Sequence, residues 1–489
     1  MSKSIVDFLK PYVKSAEISA NMTLQGEYIC TLPVGNGTGT FFLESKDFKM
    51  ELRIFCNKYL GKNIKQSEID AVIEYLELEA YQNKLNYNLA HRVFCEDDLV
   101  VYDLNKHDNS VVWVQNGECC VTQTDSILFK RSVTFANQIT PDFSVNPKAL
   151  VKYIDKHFNM KGRDKKLFML YLVTCFMGLN INHPIIVLVG EKGAGKSTAL
   201  RKLEKIIDPK QTDLCGIPKG NDGLELRLSN SYFVALDNLS YISRNISDTL
   251  ARAVTGGSVT KRAMYQNTEE VTLNIKALLA INSVSMVVKE SDLLDRSLLI
   301  DLRRIDPNTM KTEAEVWEDF EADLPKILGC CFKILAAAMQ DTTPIKENRL
   351  TRMADFHVAC IRVGKVLGYD EKEIADLLWY NQKKINREVL CEDEVAMCVI
   401  EIMEKQKIYV NSVAHLLSDL QQVAEEIGLA PSLLPSKPNV LSRRLNKIRS
   451  NLEQEYGIAI SIINKGKYKE ITIKRLPKKI ENIESERNS

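Results

Sequence analysis

At 489 residues the chain is longer than one hydrophobic core usually organises, so two to four domains are expected. Its 45 % hydrophobic and 26 % charged residues are ordinary for a soluble globular protein, and a formal net charge of +1 does not by itself announce a nucleic-acid partner. No run of about 18 apolar residues exists and the N-terminus has no signal-peptide core, which leaves no spanning helix and points to a cytoplasmic protein.

In chain order, residues 1 to about 90 read as largely helical. "ESKDFKMELRIFCNKYL" and "SEIDAVIEYLELEAYQNKL" repeat apolar residues at three- and four-residue spacings, with "LPVGNGTGTFFL" as a glycine-rich loop between them. From about 91 to 135 the period becomes two, giving short strands with polar turns such as "KHDN" and "QNGE". The first 135 residues therefore form a small α+β domain. Asp97, Asp98 and Asp103 are read as turn and strand residues of that region rather than as a metal site. The 12 cysteines include no C-x-x-C pair and are read as reduced, mostly buried thiols.

Residues 136–184 form a helical collar, in which "DKKLFMLYLVTCFMGLN" is apolar nearly all round, as a buried helix is. Then comes "IIVLVGEKGAGKSTALRKL". A β-branched strand meets Gly190-Glu191-Lys192-Gly193-Ala194-Gly195-Lys196-Ser197, followed by Thr198 and a helical pattern. This is a complete G-x-x-x-x-G-K-[ST] string in its strand–turn–helix setting. Successive N–H groups at a helix N-terminus face phosphate oxygens, Lys196 reaches the β- and γ-phosphates, and Ser197 ligates Mg²⁺. ATP and Mg²⁺ are thus the expected cofactors.

A metal-orienting carboxylate is supplied by "SYFVALDNLS", whose strand ends in Asp237 followed by Asn238. Because Asn stands where a water-activating Glu is common, Asp222, Glu225 and Asp237 all stay open as general base. The strand "IKALLAIN" ends in Asn282, suited to holding the attacking water or sensing the γ-phosphate. In "ESDLLDRSLLIDL", Arg296 is read as an arginine completing a neighbouring subunit's site, with an ion pair to Asp292 or Asp295 as the plainer alternative. Between these strands "TGGSVTKRAMYQNTEEVTLNI" suggests a β-hairpin with Lys261 and Arg262 near its tip, followed by Tyr265.

Residues 185–310 make the core that holds these motifs, and 311–390 a helical lid. From Pro431 to Lys479 there are 12 Lys/Arg against 3 Asp/Glu, so the remainder of the chain is net acidic. "VLSRRLNKIRSNLEQEYG" places Arg443, Arg444, Lys447 and Arg449 on a helix, and two alternating strands flank the turn with Lys465 and Lys467. Helices, a basic helix and a basic hairpin are the layout of a DNA-binding winged helix over 391–479, before a disordered tail at 480–489.

"GEKGAGKST", "VALDNLS", "AVTGGSVTKRAMYQN", "LLAINS" and "DLLDRSLLIDL", in this order and spacing, resemble the AAA+ helicases of phages and staphylococcal mobile elements. These are the replication initiators of pathogenicity islands and related cassette helicases, grouped with superfamily-3 or MCM-like enzymes. The resemblance implies a homo-hexameric ring, ATP hydrolysis between subunits, and unwinding of DNA, engaged both as origin duplex and as single strand. The expected fold is therefore multidomain α/β, with an AAA+ core, an α+β N-terminal domain and a C-terminal winged helix. A small-molecule phosphotransferase leaves both basic elements unexplained. An AAA+ DNA-binding regulator or loader without unwinding activity would use the same motifs.

Overall fold

The computed structural model describes residues 4–476 except 24–25, 35–36, 84–85, 88, 107, 125–126, 132–133, 219 and 263–269, with the backbone alone at 37, 86–87, 261–262 and 270–271. The architecture is multidomain α/β and groups into two compact units, Met1–Val287 with Leu299–Leu378, and Val288–Leu298 with Trp379–Ser489. The segment 288–298, expected within the core at 185–310, groups with the C-terminal residues. The tail at 480–489 lies outside the described residues.

The first ninety residues hold more sheet than their pattern suggested. Strands Gly37–Phe42, Tyr28–Val34, Ser19–Thr23 and Asn86–Tyr87 lie side by side in that order. The segment expected as a loop is thus two antiparallel strands, with Thr31 and Thr40 hydroxyls 2.8 Å apart across the ladder. Cys30, Leu32 and Val34 alternate inward against Phe48, Leu52, Phe55, Val72 and Leu76 of the helices Lys46–Leu60 and Gln66–Asn83. Threonines, Val34 and paired phenylalanines suit a half-buried pleated surface, and that packing outweighs the glycines. The strands Val93–Glu96, Leu99–Asp103, Ser110–Gln115 and Glu118–Gln123 then form an antiparallel meander in chain order. Its last turn is Asn116-Gly117, both at positive φ (54° and 77°), the geometry that matches strand twist. Asp103 is buried and clasped by Arg131 at 2.7 and 3.0 Å, a structural pair.

The central sheet runs Phe233–Leu236, Leu278–Asn282, Ile185–Val189, Ser297–Asp301, with the first three strands mutually parallel. These three strands are buried along their whole lengths, as continuous apolar runs in a parallel sheet must be. The helix Gly162–Thr174 is fully buried from Leu167 onward, and the helices Glu313–Gln340 and Ala354–Leu367 follow the sheet in sequence. A buried ionic cluster fixes the end of the helix that follows the glycine loop. Asp208, its C-cap, accepts from Arg92 Nε at 2.8 Å, Lys210 Nζ at 2.6 Å and the Phe233 N–H at 3.2 Å. Burial alone would raise the Asp208 carboxyl, but Arg92 and Lys210 more than offset it and hold it below the usual range. Both Arg92 and Asp208 are 0 % exposed. Arg92→Met is expected to cost about 3 kcal/mol in chemical denaturation, the low end for breaking a buried pair, because Lys210 still faces Asp208. A loss below about 1 kcal/mol would mean that the pair is worth no more than an exposed one.

The second unit is built from the helices Glu394–Lys405, Val413–Glu426 and Pro438–Tyr456 and a three-stranded antiparallel sheet. The sheet order is Ile408–Ser412, Lys469–Arg475, Ile458–Asn464. Leu441, Leu445, Ile448 and Leu452, on one face of the last helix, meet Val399, Leu416, Leu420, Ile471 and Ile473 in its core. Among the described residues no helix is long and apolar enough to cross a membrane.

Candidate functional site

The glycine loop leaves the sheet at the end of Ile185–Val189. A side chain at Gly190 would place its Cβ 2.5 Å from the Leu302 carbonyl oxygen, so only glycine lets the two backbones approach so closely. Gly195 caps the helix Lys196–Ile207 in the left-handed region, φ 74°. Glu191, Lys192 and Gly193 are exposed, Ala194 is buried, and Gly195 to Thr198 are half-buried. Lys196 turns back over the loop and donates to the carbonyls of Gly190 at 2.6 Å and Glu191 at 2.9 Å. An ammonium held by two carbonyls exchanges them readily for phosphate oxygens, which are the stronger acceptors. Partial burial lowers its pKa, without a nearby carboxylate to hold it.

Parallel pairing brings the C-terminal ends of neighbouring strands out at one edge. Asp237 follows one of them, Asn282 ends the next, and Ser197 sits on the first turn of the loop's helix. Asn282, 1 % exposed, donates through Nδ2 to Asp237 Oδ1 at 2.5 Å and lies 3.4 Å from Ser197 Oγ. Its Oδ1 accepts from the backbone N–H of Asn238, which fixes the amide's orientation. Asn238 itself is exposed, at φ 53°, a left-handed conformation that asparagine tolerates. The three groups expected to handle metal and γ-phosphate are therefore adjacent: a hydroxyl, a carboxylate and a fixed amide. A hydroxyl and a carboxylate are oxygen donors of the kind Mg²⁺ takes, so this set fits that ion. Of the open choices for a base, Glu225 is buried on the helix Asn221–Ser229 and Asp222 is exposed on it.

A cavity of about 890 Å³ adjoins the loop at Gly193, Ala194, Gly195 and Thr198. Its walls include Lys161, Lys202, Arg303 and Arg304, none of which the motifs had singled out. The signal was the Arg303-Arg304 pair directly after an apolar strand. What brings it to the loop is backbone pairing, with the Leu302 N–H donating to Val189 at 2.8 Å. Lys202 is buried, donates to the His157 carbonyl at 3.1 Å, and is pulled down by burial to a pKa of about 8. The cavity's volume is that of a small-molecule site beside the glycine loop.

Arg296 shows the plainer of its two readings. Its side chain is 14 % exposed and closes on Asp292, through that residue's carboxylate and its carbonyl at 2.9 Å. It lies in the segment that groups with the C-terminal residues. The segment expected as a hairpin is an antiparallel ladder, Gly257–Arg262 with Glu270–Ile275, and Lys261 and Arg262 occupy its far end. Tyr265 lies outside the described residues.

On the helix Pro438–Tyr456, Arg443 and Arg449 are exposed. Lys447 is exposed too, but pairs with Glu290 at 3.0 Å. Arg444 departs from expectation: it donates to Asp393 at 2.9 Å and to Glu394. Burial would lower its pKa, yet these two carboxylates raise it. A guanidinium so engaged braces the first turn of the helix Glu394–Lys405 and is not offered to an outside phosphate. Lys465 and Lys467 are exposed on the turn between the last two strands, with Glu470 3.5 Å from Lys465.

Residues 156–373 match a family model described as the actinomycete integrative conjugative element replication protein. Residues 395–486 match that of the AICE RepA C-terminal domain. The chain is thus similar over both parts to a replication protein of mobile elements. Both matching models are of the actinomycete RepA type and not of the staphylococcal-island and phage helicases that were expected. No curated protein matches the chain. Among solved structures, an A form of the apo NrS-1 C-terminal region is 13 % identical with a TM-score of 0.40, covering 97 % of this chain and all of that one. A second apo structure of that region is 14 % identical with a TM-score of 0.38 over 97 % of this chain and 100 % of that one. Likeness at that level carries no argument about fold or function.

Proposed function

We propose that the chain is an ATP-dependent DNA helicase and replication initiator of a mobile element. In this reading residues 185–310 are an AAA+ core, the following helices its lid, and the C-terminal unit a winged helix that binds the origin. The observation that carries it is the meeting of Ser197, Asp237 and Asn282 beside the glycine loop, with the Asn282 amide fixed by the Asn238 N–H. The two RepA-type matches supply the setting of mobile-element replication.

The loop from Gly190 to Thr198 cradles the phosphates, Lys196 leaves its carbonyl partners for the β- and γ-oxygens, and Ser197 with Asp237 would hold Mg²⁺. Bound there, that ion would neutralise charge developing on the phosphates. Asn282 orients the attacking water, and the cavity lined by Arg303 and Arg304 takes the nucleoside. Six copies form a ring in the cytoplasm, in which Lys261 and Arg262 contact a DNA strand. For Arg296 to act on a neighbour's nucleotide it must first leave Asp292.

The test is strand displacement on forked DNA with ATP, comparing the wild-type chain with Lys261→Ala/Arg262→Ala. Unwinding by wild type alone is the expected result. Vigorous DNA-stimulated ATP hydrolysis with no unwinding would replace this reading with an ATP-gated DNA-binding regulator or loader.

A further inference from the structure

The helix Pro438–Tyr456 buries Leu441, Leu445, Ile448 and Leu452 and turns another face outward. That face carries Asn439, Val440, Arg443, Asn446, Lys447 and Ser450, all exposed and spaced three and four residues apart. Nothing acidic lies between Glu426 and Glu453, so the helix itself puts no negative charge on this face, and Glu290 reaches it only at Lys447. Among the described residues the side-chain amides of Asn439 and Asn446 have no hydrogen-bond partner, whereas Arg444 and Lys447 already face carboxylates of the same unit.

The residue types decide what such a face recognises. A phosphate takes hydrogen bonds from cations and amides alike but uses only their donors, whereas a base edge also engages an amide's acceptor oxygen. In the major groove an asparagine amide pairs in bidentate fashion with adenine N6 and N7, an arginine with guanine O6 and N7, and an apolar side chain meets the thymine methyl. Seven residues of helix separate Asn439 from Asn446, about 10 Å of rise, and base pairs stack at about 3.4 Å. A helix lying along the groove would thus set the two amides about three base-pair steps apart, with Arg443 between them.

We propose that Asn439, Arg443 and Asn446 are the base-reading residues of this protein. They recognise a short purine-containing duplex core of two adenines flanking a guanine, while Arg449, Lys465 and Lys467 position the phosphate backbone. The proposal rests on the reading above only in that the C-terminal unit binds duplex DNA.

The experiment uses the full chain without nucleotide, selecting from a random duplex library and then measuring binding to the selected duplex and to a scrambled one. For wild type a purine-containing core is expected. Asn446→Ala and Arg443→Ala should each lower the ratio of selected to scrambled binding about 5- to 100-fold, relaxing preference at one position; scrambled binding should hold for Asn446→Ala and weaken for Arg443→Ala only as one lost cation does. Arg449→Ala should weaken both duplexes alike and flatten the salt dependence. Arg444→Ala should lower the thermal midpoint and leave the sequence preference intact. Equal losses on both duplexes for Asn446→Ala, or an unchanged preference when Asn439, Arg443 and Asn446 are all alanine, would overturn the assignment. Wild-type binding with no sequence preference would also overturn it and leave the helicase intact. Absence of any duplex binding would remove the origin-binding reading itself.

Discussion

Lys196→Ala is expected to reduce ATP hydrolysis by at least about 100-fold while leaving duplex binding by the full chain intact. The magnitude is that of removing one preorganised charge partner from a phosphoryl-transfer site. The loss should fall on catalysis and nucleotide binding, because the Lys196 ammonium donates to carbonyls of its own loop. Retained hydrolysis would show that the ammonium does not reach the phosphates. Loss of sequence-specific duplex binding would show that the C-terminal unit is not an independent DNA-binding module, contrary to its own separate core.

Asn282→Ala should slow hydrolysis by about 100-fold, again the scale of one fixed polar group at a reacting phosphate, with nucleotide affinity changed little. Asn282 is buried and holds the Asn238 N–H, so the truncation also leaves a backbone donor unpaired at a cost of about 1–3 kcal/mol. Asn282→Asp separates the two effects. It keeps the oxygen that accepts from Asn238 but turns a second carboxylate toward Asp237, where the amide now donates. Both variants slow in hydrolysis, with a melting curve for Asn282→Asp near wild type, would assign the amide nitrogen a role in the reaction. Wild-type rates in Asn282→Asp would reduce Asn282 to a spacer between strands.

The glycine loop, the strand leading into it and the strand ends at Asp237 and Asn282 were legible because each is a local matter. Left-handed glycine, a continuous apolar run and a polar residue at a run's end follow from backbone sterics and from the period of burial, and these act over a few residues. The meander was legible for the same reason, since Asn116-Gly117 and alternating valines specify a hairpin without help from the rest of the chain.

Other features had no local signature. The strands around Gly37 read as a loop until Phe48 and Leu52 gave them a surface to cover. Arg444 looked like its neighbours on a basic helix, and only the placement of Asp393 and Glu394, fifty residues earlier, turned it inward. Arg303 and Arg304 meet the glycine loop because Leu302 pairs with Val189, more than a hundred residues away. By itself the sequence determined most of the strands and helices and the glycine-rich turn before Lys196, because those are set by neighbours along the chain. Which cations face outward and which are already neutralised was decided only by tertiary structure, since a charge's partner is chosen by proximity in space and by the cost of burying it unpaired.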